Sequence, residues 1–595
     1  MKLSEGGVEM MKKMIITICI LMGLCFLGGK KLQEEVQRKE EEKISILTTS
    51  INYEKFAEAL KLKYPEVELE FISYKGYNMT GYIRECMEAG ELPDIVTTTC
   101  FVDEELQKER LVDLSKYSFV NNYSDSWLNR CNVDGSIYML PSNYSAIGFY
   151  YNKTVMEEHG WQLPRNFQEF KELAEKIKAA GLKPCVARMD LEGFIFSDFF
   201  GLGNTFFFNT KEGELWKNDF LTGKANAKGN IEPVLSYLNE WVEEGFISEE
   251  DINNEGTSEQ FYRGEAVFMF CNGIGLMKQE LEGIGTMEYG IMPWLAPEGD
   301  SKMIVSSVSR YYGLNKNLEK EENKQKLEDA LKVMEFIATD EGMSMLRDEM
   351  TAISPLNTSE IKEDNVYYEI KDYIVGGNTI PLVYVGWDDI IIPLSQELYS
   401  LVRREQTVEE CVVNFDKIRD QWLETGAVSF GEVTSSIGKE ETARIVGKSV
   451  VEEKNADAAL ISLGEYHGYG MENSQGVQCG IYPGTFTLDR LRTIVPAGRM
   501  GIIKLSGGEI LRRKEEGKYM VYTNQEIKDP TPFPYVLVLK EGLELNPKEE
   551  YSVVICAGDL EEELQKEMRD IWGAMDTQKM MEEYIRSHPE VLSSK

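Results

Sequence analysis

The chain reads as an α/β protein followed by a smaller α+β unit, and three observations carry that reading. From residue 43 onward β-branched runs alternate with amphipathic helical stretches, an order that implies parallel strands joined by crossovers. Apolar residues make up 42% of the 595 positions, enough for more than one sizeable core. After Trp422–Gly426 the pattern changes to one long helix and then short strands separated by Gly, Pro and Thr. The implied division is a leader and tether over 1–42, a large α/β region over 43–427 and a second unit over 428–595.

The uncharged run Met14–Gly29 follows Lys12-Lys13 and precedes Lys30-Lys31. Its 16 residues are short for a spanning helix, which needs about 20, and suit a signal h-region. Cys25 lies late in the run, where a bacterial lipoprotein carries its acceptor cysteine, although Leu24 stands where lipoproteins usually have Gly or Ala. Lipoprotein signal, uncleaved anchor and cleaved signal all remain open, and each puts the rest of the chain outside the cytoplasm. Residues 33–43 are charged and poor in apolar groups, as in a solvated tether.

Lys43–Thr49 predicts the first strand. Asn52 is placed to cap a helix whose Tyr53, Phe56, Ala57 and Leu60 share one face, and Pro65 stops it. Val67–Ile72 alternates as a second strand, Tyr82–Ala89 is amphipathic, and Leu92–Val96 is a short buried-type strand. Ligands of parallel sheets bind beyond the carboxyl ends of strands, which singles out the loops Thr48–Asn52 and Thr97–Cys100. Asp134-Gly135-Ser136 predicts a turn, Ile147–Tyr151 a strand, and Asn166 with Glu169 a capping box. Phe170, Leu173, Ala174 and Ile177 line the helix that follows, which Gly181 ends. Residues 182–300 are rich in aromatics. Most of these read as core, but Phe194–Phe200 interleaves rings with Ser197 and Asp198, a combination that suits the apolar faces and hydroxyls of a sugar.

In the second unit Glu440–Leu460 is helix-like, with Ala456-Asp457 at its end. Gly501–Leu505, Tyr519–Tyr522, Tyr535–Leu539 and Tyr551–Cys556 are strand-like.

Charge and histidine content exclude several functions. With 64 Lys+Arg against 101 Asp+Glu the formal charge is −37, which disfavours nucleic acid and electrostatic docking on anionic lipid. The three histidines, His159, His467 and His588, are too few for ordinary zinc or Ser-His-Asp catalysis. None of the ten cysteines forms a CxxC pair, so they read as scattered buried thiols. No cofactor or metal is expected.

The segments LPDIV at 92–96, GSIYMLP at 135–141, FYYNK at 149–153 and WQLPRNFQEFKELAEKIKAAG at 161–181 appear in this order. FYRGEAVFMF at 261–270, GIMPWLAP at 290–297, YGLNK at 312–316 and ISPL at 353–356 follow. The ordered set resembles the sugar-type (family 1) extracellular solute-binding proteins of bacterial ABC importers. That resemblance implies a two-lobed, periplasmic-binding-protein-like fold of type II, with ligand in the interlobe cleft and closure on binding. It further implies a monomeric, non-enzymatic receptor, tethered outside the membrane, that hands a carbohydrate to permease subunits. Carried over by position, the cleft residues are Ser50, Asn52, Tyr53, Thr98, Asn143, Tyr144, Phe196, Asp198, Asn272, Trp294, Arg310 and Trp387.

ADAALI at 456–461, GIYPGTFTLDRL at 480–491 and VPAGRMGIIKLSGGEI at 495–510 resemble the carboxy-terminal domain of the 5′-nucleotidases. Gly476-Val477-Gln478 departs from the Arg-bearing pattern of that family, and Ala497 stands where a Phe is usual. The His/Asp-rich catalytic domain that precedes this module in nucleotidases is missing, and three histidines cannot build its two-metal centre. A degenerate binding or interaction domain is the expectation. The rival readings are a secreted nucleotide- or phosphoester-acting protein working through this unit, and an envelope interaction protein that has lost transport.

Overall fold

Ile44, Ile46 and Leu47 are buried in the first strand, and the chain returns to that strand's sheet from distant segments. A computed structural model describes residues 43–48, 53–74, 79–98, 104–189, 194–252, 256–270, 287–301, 304–308, 310–346, 353–358, 360–361, 367–375, 379–381, 387, 390–426, 428–463, 476–496, 498–517 and 535–593. The leader, with Cys25, and Ser50, Asn52, Asn272 and the expected strand Tyr519–Tyr522 lie outside the described residues. Among the described residues no helix is long and apolar enough to cross a membrane.

The first lobe is a five-stranded sheet in the order Leu69–Ser73, Ile44–Thr48, Ile95–Thr98, Tyr311–Leu314, Met139–Pro141. Its first three strands are parallel, joined through the helices Glu54–Lys63 and Met79–Ala89, as the strand–helix alternation requires. Tyr311–Leu314 runs antiparallel to both of its neighbours. The second lobe is a four-stranded sheet in the order Tyr289–Met292, Phe149–Asn152, Ala266–Phe270, Lys183–Ala187. The Phe167–Ala179 helix covers it with Phe167, Phe170, Leu173, Ala174 and Ile177. Asn166 Oδ1 accepts from the Glu169 N–H at its start, as expected of the cap.

Two segments join the lobes as a pair. Tyr144–Ile147 leaves the Met139–Pro141 strand of the first lobe and leads into Phe149–Asn152 of the second. Ile304–Val308 runs the other way, toward Tyr311–Leu314, and the two are antiparallel with Val305 opposite Ile147 and Val308 opposite Tyr144. Thr379–Pro381 adds a third, parallel strand to this small sheet. The single strand expected over Ile147–Tyr151 is therefore divided at Gly148. A Cβ there would stand 2.3 Å from the Met292 carbonyl oxygen, so the crossing needs glycine. Asp134 (φ 51°) and Gly135 (φ 92°) form the expected turn, joining Asn132–Val133 to Ser136–Ile137.

The carboxy-terminal unit has a mixed five-stranded sheet in the order Tyr535–Leu539, Ala458–Ser462, Glu550–Cys556, Met500–Ser506, Arg569–Trp572. The helices Lys439–Glu453 and Ala574–Ser587 cover one face, and Gly507–Glu516 packs on the other. One expectation is corrected here. The helix ends at Glu453, Asn455 turns the chain with φ 48°, and Ala458–Ser462 is a buried interior strand of the sheet rather than the end of a helix. Five consecutive small or aliphatic residues on an interior strand, with both faces covered, leave no alternation to read.

This unit sits against the first lobe. Its Leu488–Ile494 helix packs on Met79–Ala89. Arg490 donates to Glu85 Oε1 from Nε at 2.9 Å and Nη2 at 2.7 Å, and the Thr493 hydroxyl donates to Glu85 Oε2 at 3.1 Å. The Tyr74 hydroxyl donates to the Thr493 carbonyl at 2.8 Å. Burial raises the Glu85 carboxyl above the usual range, against the pull of Arg490.

Candidate functional site

The carboxyl ends of the first-lobe strands bring several expected residues to one edge. Thr98 closes its strand, almost fully buried, with Tyr311 opposite it. Tyr311 in turn pairs with Pro141. The next residues clasp each other: Ser142 N–H donates to the Arg310 carbonyl at 2.7 Å, and Arg310 N–H donates to Ser142 Oγ at 3.0 Å. Asn143 Nδ2 donates to the Met343 carbonyl at 2.8 Å, while its Oδ1 is buried with no partner among the described residues. Thr98, Arg310 and Asn143 thus share the end of one sheet, beside the first crossing. Ser142 belongs with them and was missed by sequence reasoning; its only signal is its position directly after the strand.

Tyr53 and Tyr144 are placed differently. The Tyr53 ring stacks on Phe71 at 5.0 Å and its hydroxyl lies 3.0 Å from that of Tyr312, so it is a member of the first-lobe core. Tyr144 opens the first crossing strand, where its N–H donates to the Ile353 carbonyl at 2.9 Å. There it meets Trp127 at 4.7 Å and lines a cavity of about 650 Å³ with Ile353, Ser354, Asn357, Tyr368 and Lys371. Burial pushes the Tyr144 hydroxyl up to about 12.

In the second lobe, Lys183–Ala187 ends at Arg188, whose N–H donates to the Phe270 carbonyl at 2.9 Å. The Arg188 guanidinium lies 5.9 Å from the Phe194 ring centroid, at the start of the Phe194–Gly203 helix. Arg188 was also missed; its signal is a charged residue directly after an apolar strand, the place where ligands of parallel sheets sit. One turn into the helix, Asp198 is 1% exposed and its Oδ2 has no partner among the described residues. Burial, helped by the nearby Asp251, holds the Asp198 carboxyl well above the usual range. Asp251 is itself satisfied, accepting from Ala187 N–H at 3.2 Å, Ser248 N–H at 2.8 Å and Ser248 Oγ at 3.0 Å.

The aromatic candidates serve the second-lobe core. Trp387 packs among Phe196, Phe200, Trp216 and Phe220, the last stacked at 5.4 Å with 14° between planes. The Trp294 ring lies against Phe270 at 5.2 Å and so close to Gly201 that a Cβ there would meet it at 2.5 Å. Both tryptophans are 1% exposed and Phe196 is 4% exposed. Their faces are covered by other rings, so in this arrangement none presents a surface for stacking a sugar. The Trp387 indole N–H nevertheless has no partner among the described residues.

Asn143 Oδ1, Asp198 Oδ2 and Trp387 Nε1 are accordingly three buried polar atoms left unsatisfied on candidate residues. Each such atom costs about 1–3 kcal/mol until a partner arrives. Acceptors and donors of this kind match ligand hydroxyls. Among the described residues no group of His, Cys, Asp and Glu is arranged to hold a metal ion.

Comparison with known proteins fits this architecture. Residues 49–344 match the family model described as bacterial extracellular solute-binding protein. An ABC transporter extracellular-binding protein of Pyrococcus horikoshii is 28% identical over 150 residues, 24% of this chain and 36% of that protein. The multiple sugar-binding protein of Streptococcus mutans is 27% identical over 94 residues, 15% of this chain and 22% of that protein. The chain therefore spans well under half the length of these relatives. A family 1 extracellular solute-binding protein from Bifidobacterium longum subsp. infantis superposes with a TM-score of 0.50 at 17% identity, covering 64% of this chain and 99% of that one. A Bacillus subtilis binding protein in an open conformation gives 0.54 at 16% identity, covering 65% and 100%. These likenesses establish an α/β periplasmic-binding-protein fold for about two thirds of the chain.

Proposed function

We propose, from the match of residues 49–344 to the family model of bacterial extracellular solute-binding proteins, that the chain is the solute receptor of an ABC importer, a binder rather than an enzyme. It captures an oligosaccharide between its lobes and delivers it to permease subunits in the membrane. The observation that carries the ligand class is the set of unsatisfied buried atoms on Asn143, Asp198 and Trp387. The hydroxyls of a sugar supply the partners these atoms lack. Burial disfavours charge on Asp198, which suits an uncharged polyol better than a cation. The paired crossings Tyr144–Ile147 and Ile304–Val308 supply a hinge of small cross-section about which the lobes open and admit the ligand. The sugar-binding relative from Streptococcus mutans favours the same ligand class.

The bilobed receptor occupies 43–427, held outside the membrane by the segment before it, through Cys25 or as an anchor. The unit over 428–595, with its resemblance to the nucleotidase carboxy-terminal domain, is read as an interaction module. A thermal-shift panel tests the function. Oligosaccharides of one linkage class raise the melting temperature, while nucleosides, peptides and polyamines leave it unchanged. A shift with one of those other classes, and none with sugars, removes the carbohydrate reading.

A further inference from the structure

Among the described residues, the side-chain hydrogen bonds that reach from the carboxy-terminal unit to the rest of the chain end on Tyr74, Glu85 and Cys86, all in the first lobe. The apolar packing agrees. One continuous cluster contains Ile44, Phe56 and Val96 of the first lobe together with Val446, Leu491 and Val554 of the carboxy-terminal unit. Among the described residues, the second-lobe cluster contains none beyond 422. The covalent connection, however, leaves from the other lobe. The helix Val408–Gly426 buries Cys411, Val412 and Phe415 in the second-lobe core, and its Leu423 lies against Gly223. The chain thus passes from the second lobe to the body of the first between Gly426 and Ser429.

We propose that the carboxy-terminal unit and the first lobe form one rigid body, so that Gly426–Ser429 is a further connection between the moving parts, additional to the paired crossings at the hinge. The interface that makes them one body is the face of Met79–Ala89 carrying Tyr82, Glu85 and Cys86, filled by Tyr482, Arg490 and Thr493. Rotation of the second lobe then slides the Val408–Gly426 helix against Leu488–Ile494, the two helices that meet at this connection. This inference rests on packing and continuity alone and holds whatever solute the cleft takes.

The test uses the full chain with spectroscopic labels on unnatural residues at three exposed positions: Leu62 in the first lobe (86% exposed), Leu215 in the second (54%) and Met575 in the carboxy-terminal unit (53%). Pairwise distance distributions are measured without ligand. The expected result is a narrow Leu62–Met575 distribution, with Leu215–Met575 as broad as Leu62–Leu215. Arg490→Ala broadens the first pair. A narrow Leu215–Met575 with a broad Leu62–Met575 overturns the proposal, because the unit then rides with the second lobe. Three narrow distributions also overturn it, since the unit then braces both lobes, and three broad ones overturn it by showing a loosely tethered unit.

Discussion

Replacing Arg490 by Ala strikes the contact on which the placement of the carboxy-terminal unit depends. The Arg490 side chain is 14% exposed and that of Glu85 7%, so the pair is desolvated on both sides. The guanidinium gives Glu85 Oε1 two hydrogen bonds and also bonds the carbonyls of Thr485 and Tyr482. Its removal leaves the buried Glu85 carboxyl with the Thr493 hydroxyl and the Tyr482 backbone, and no cation beside it. Breaking one half of a buried pair costs about 3–5 kcal/mol. Because the chain has several cores, a single unfolding free energy is a poor readout. Amide hydrogen exchange in Met79–Ala89 reports the interface directly. At tenfold per 1.4 kcal/mol, that loss accelerates exchange by about two to three and a half orders of magnitude. Glu85→Met combined with Arg490→Met restores most of the protection, since apolar groups of similar volume replace a buried pair at little cost. Protection in Arg490→Ala within threefold of wild type refutes the reasoning.

Three further outcomes follow from the second lobe. Asp198 has its folded-state pKa raised, so the stability tied to its proton is fully present below the ordinary Asp value and is lost as pH rises toward the folded value; Asp198→Asn therefore removes up to about 1.4 kcal/mol per pH unit of that slope, read as urea midpoints between pH 5 and 7. An unchanged slope contradicts the raised carboxyl. Gly201→Ala drives a methyl into the Trp294 ring and costs about 1–3 kcal/mol, seen as a lower melting temperature with altered tryptophan fluorescence. Trp387→Ala empties a site packed by four rings and costs about 3–5 kcal/mol; a variant that keeps wild-type stability shows instead that the ring faces the cleft.

What could be read from the chain was the part determined locally. The strand–helix alternation over 43–98, the Asn166 cap and the Asp134-Gly135 turn depend on a few neighbouring residues, and they stand in the structure close to where the pattern puts them. Exposure of the aromatics does not depend on neighbours. Trp387 is covered by Phe196, Phe200, Trp216 and Phe220, which come from two helices far away in the chain, so no window around residue 387 reveals its burial. Asn143 and Tyr144 looked like one loop pair, but Asn143 bonds the Met343 carbonyl whereas Tyr144 opens a strand and packs on Trp127. Arg188 carried a signal in its place after Val186-Ala187, read here only once the sheet was visible. The docking of the carboxy-terminal unit had none, because Glu85 and Arg490 lie 405 residues apart and each sits on an ordinary amphipathic helix.

The central claim is that the cleft takes an oligosaccharide and that unsatisfied atoms on the candidate residues bind it. Calorimetric titration of the full chain, wild type and Asn143→Ala, against α-gluco-, α-galacto- and β-linked oligosaccharides tests it most directly. The account predicts saturable one-to-one binding of one linkage class, weakened about tenfold in the variant for the loss of one hydrogen bond. Absence of binding by every sugar, or binding that Asn143→Ala leaves untouched, contradicts it.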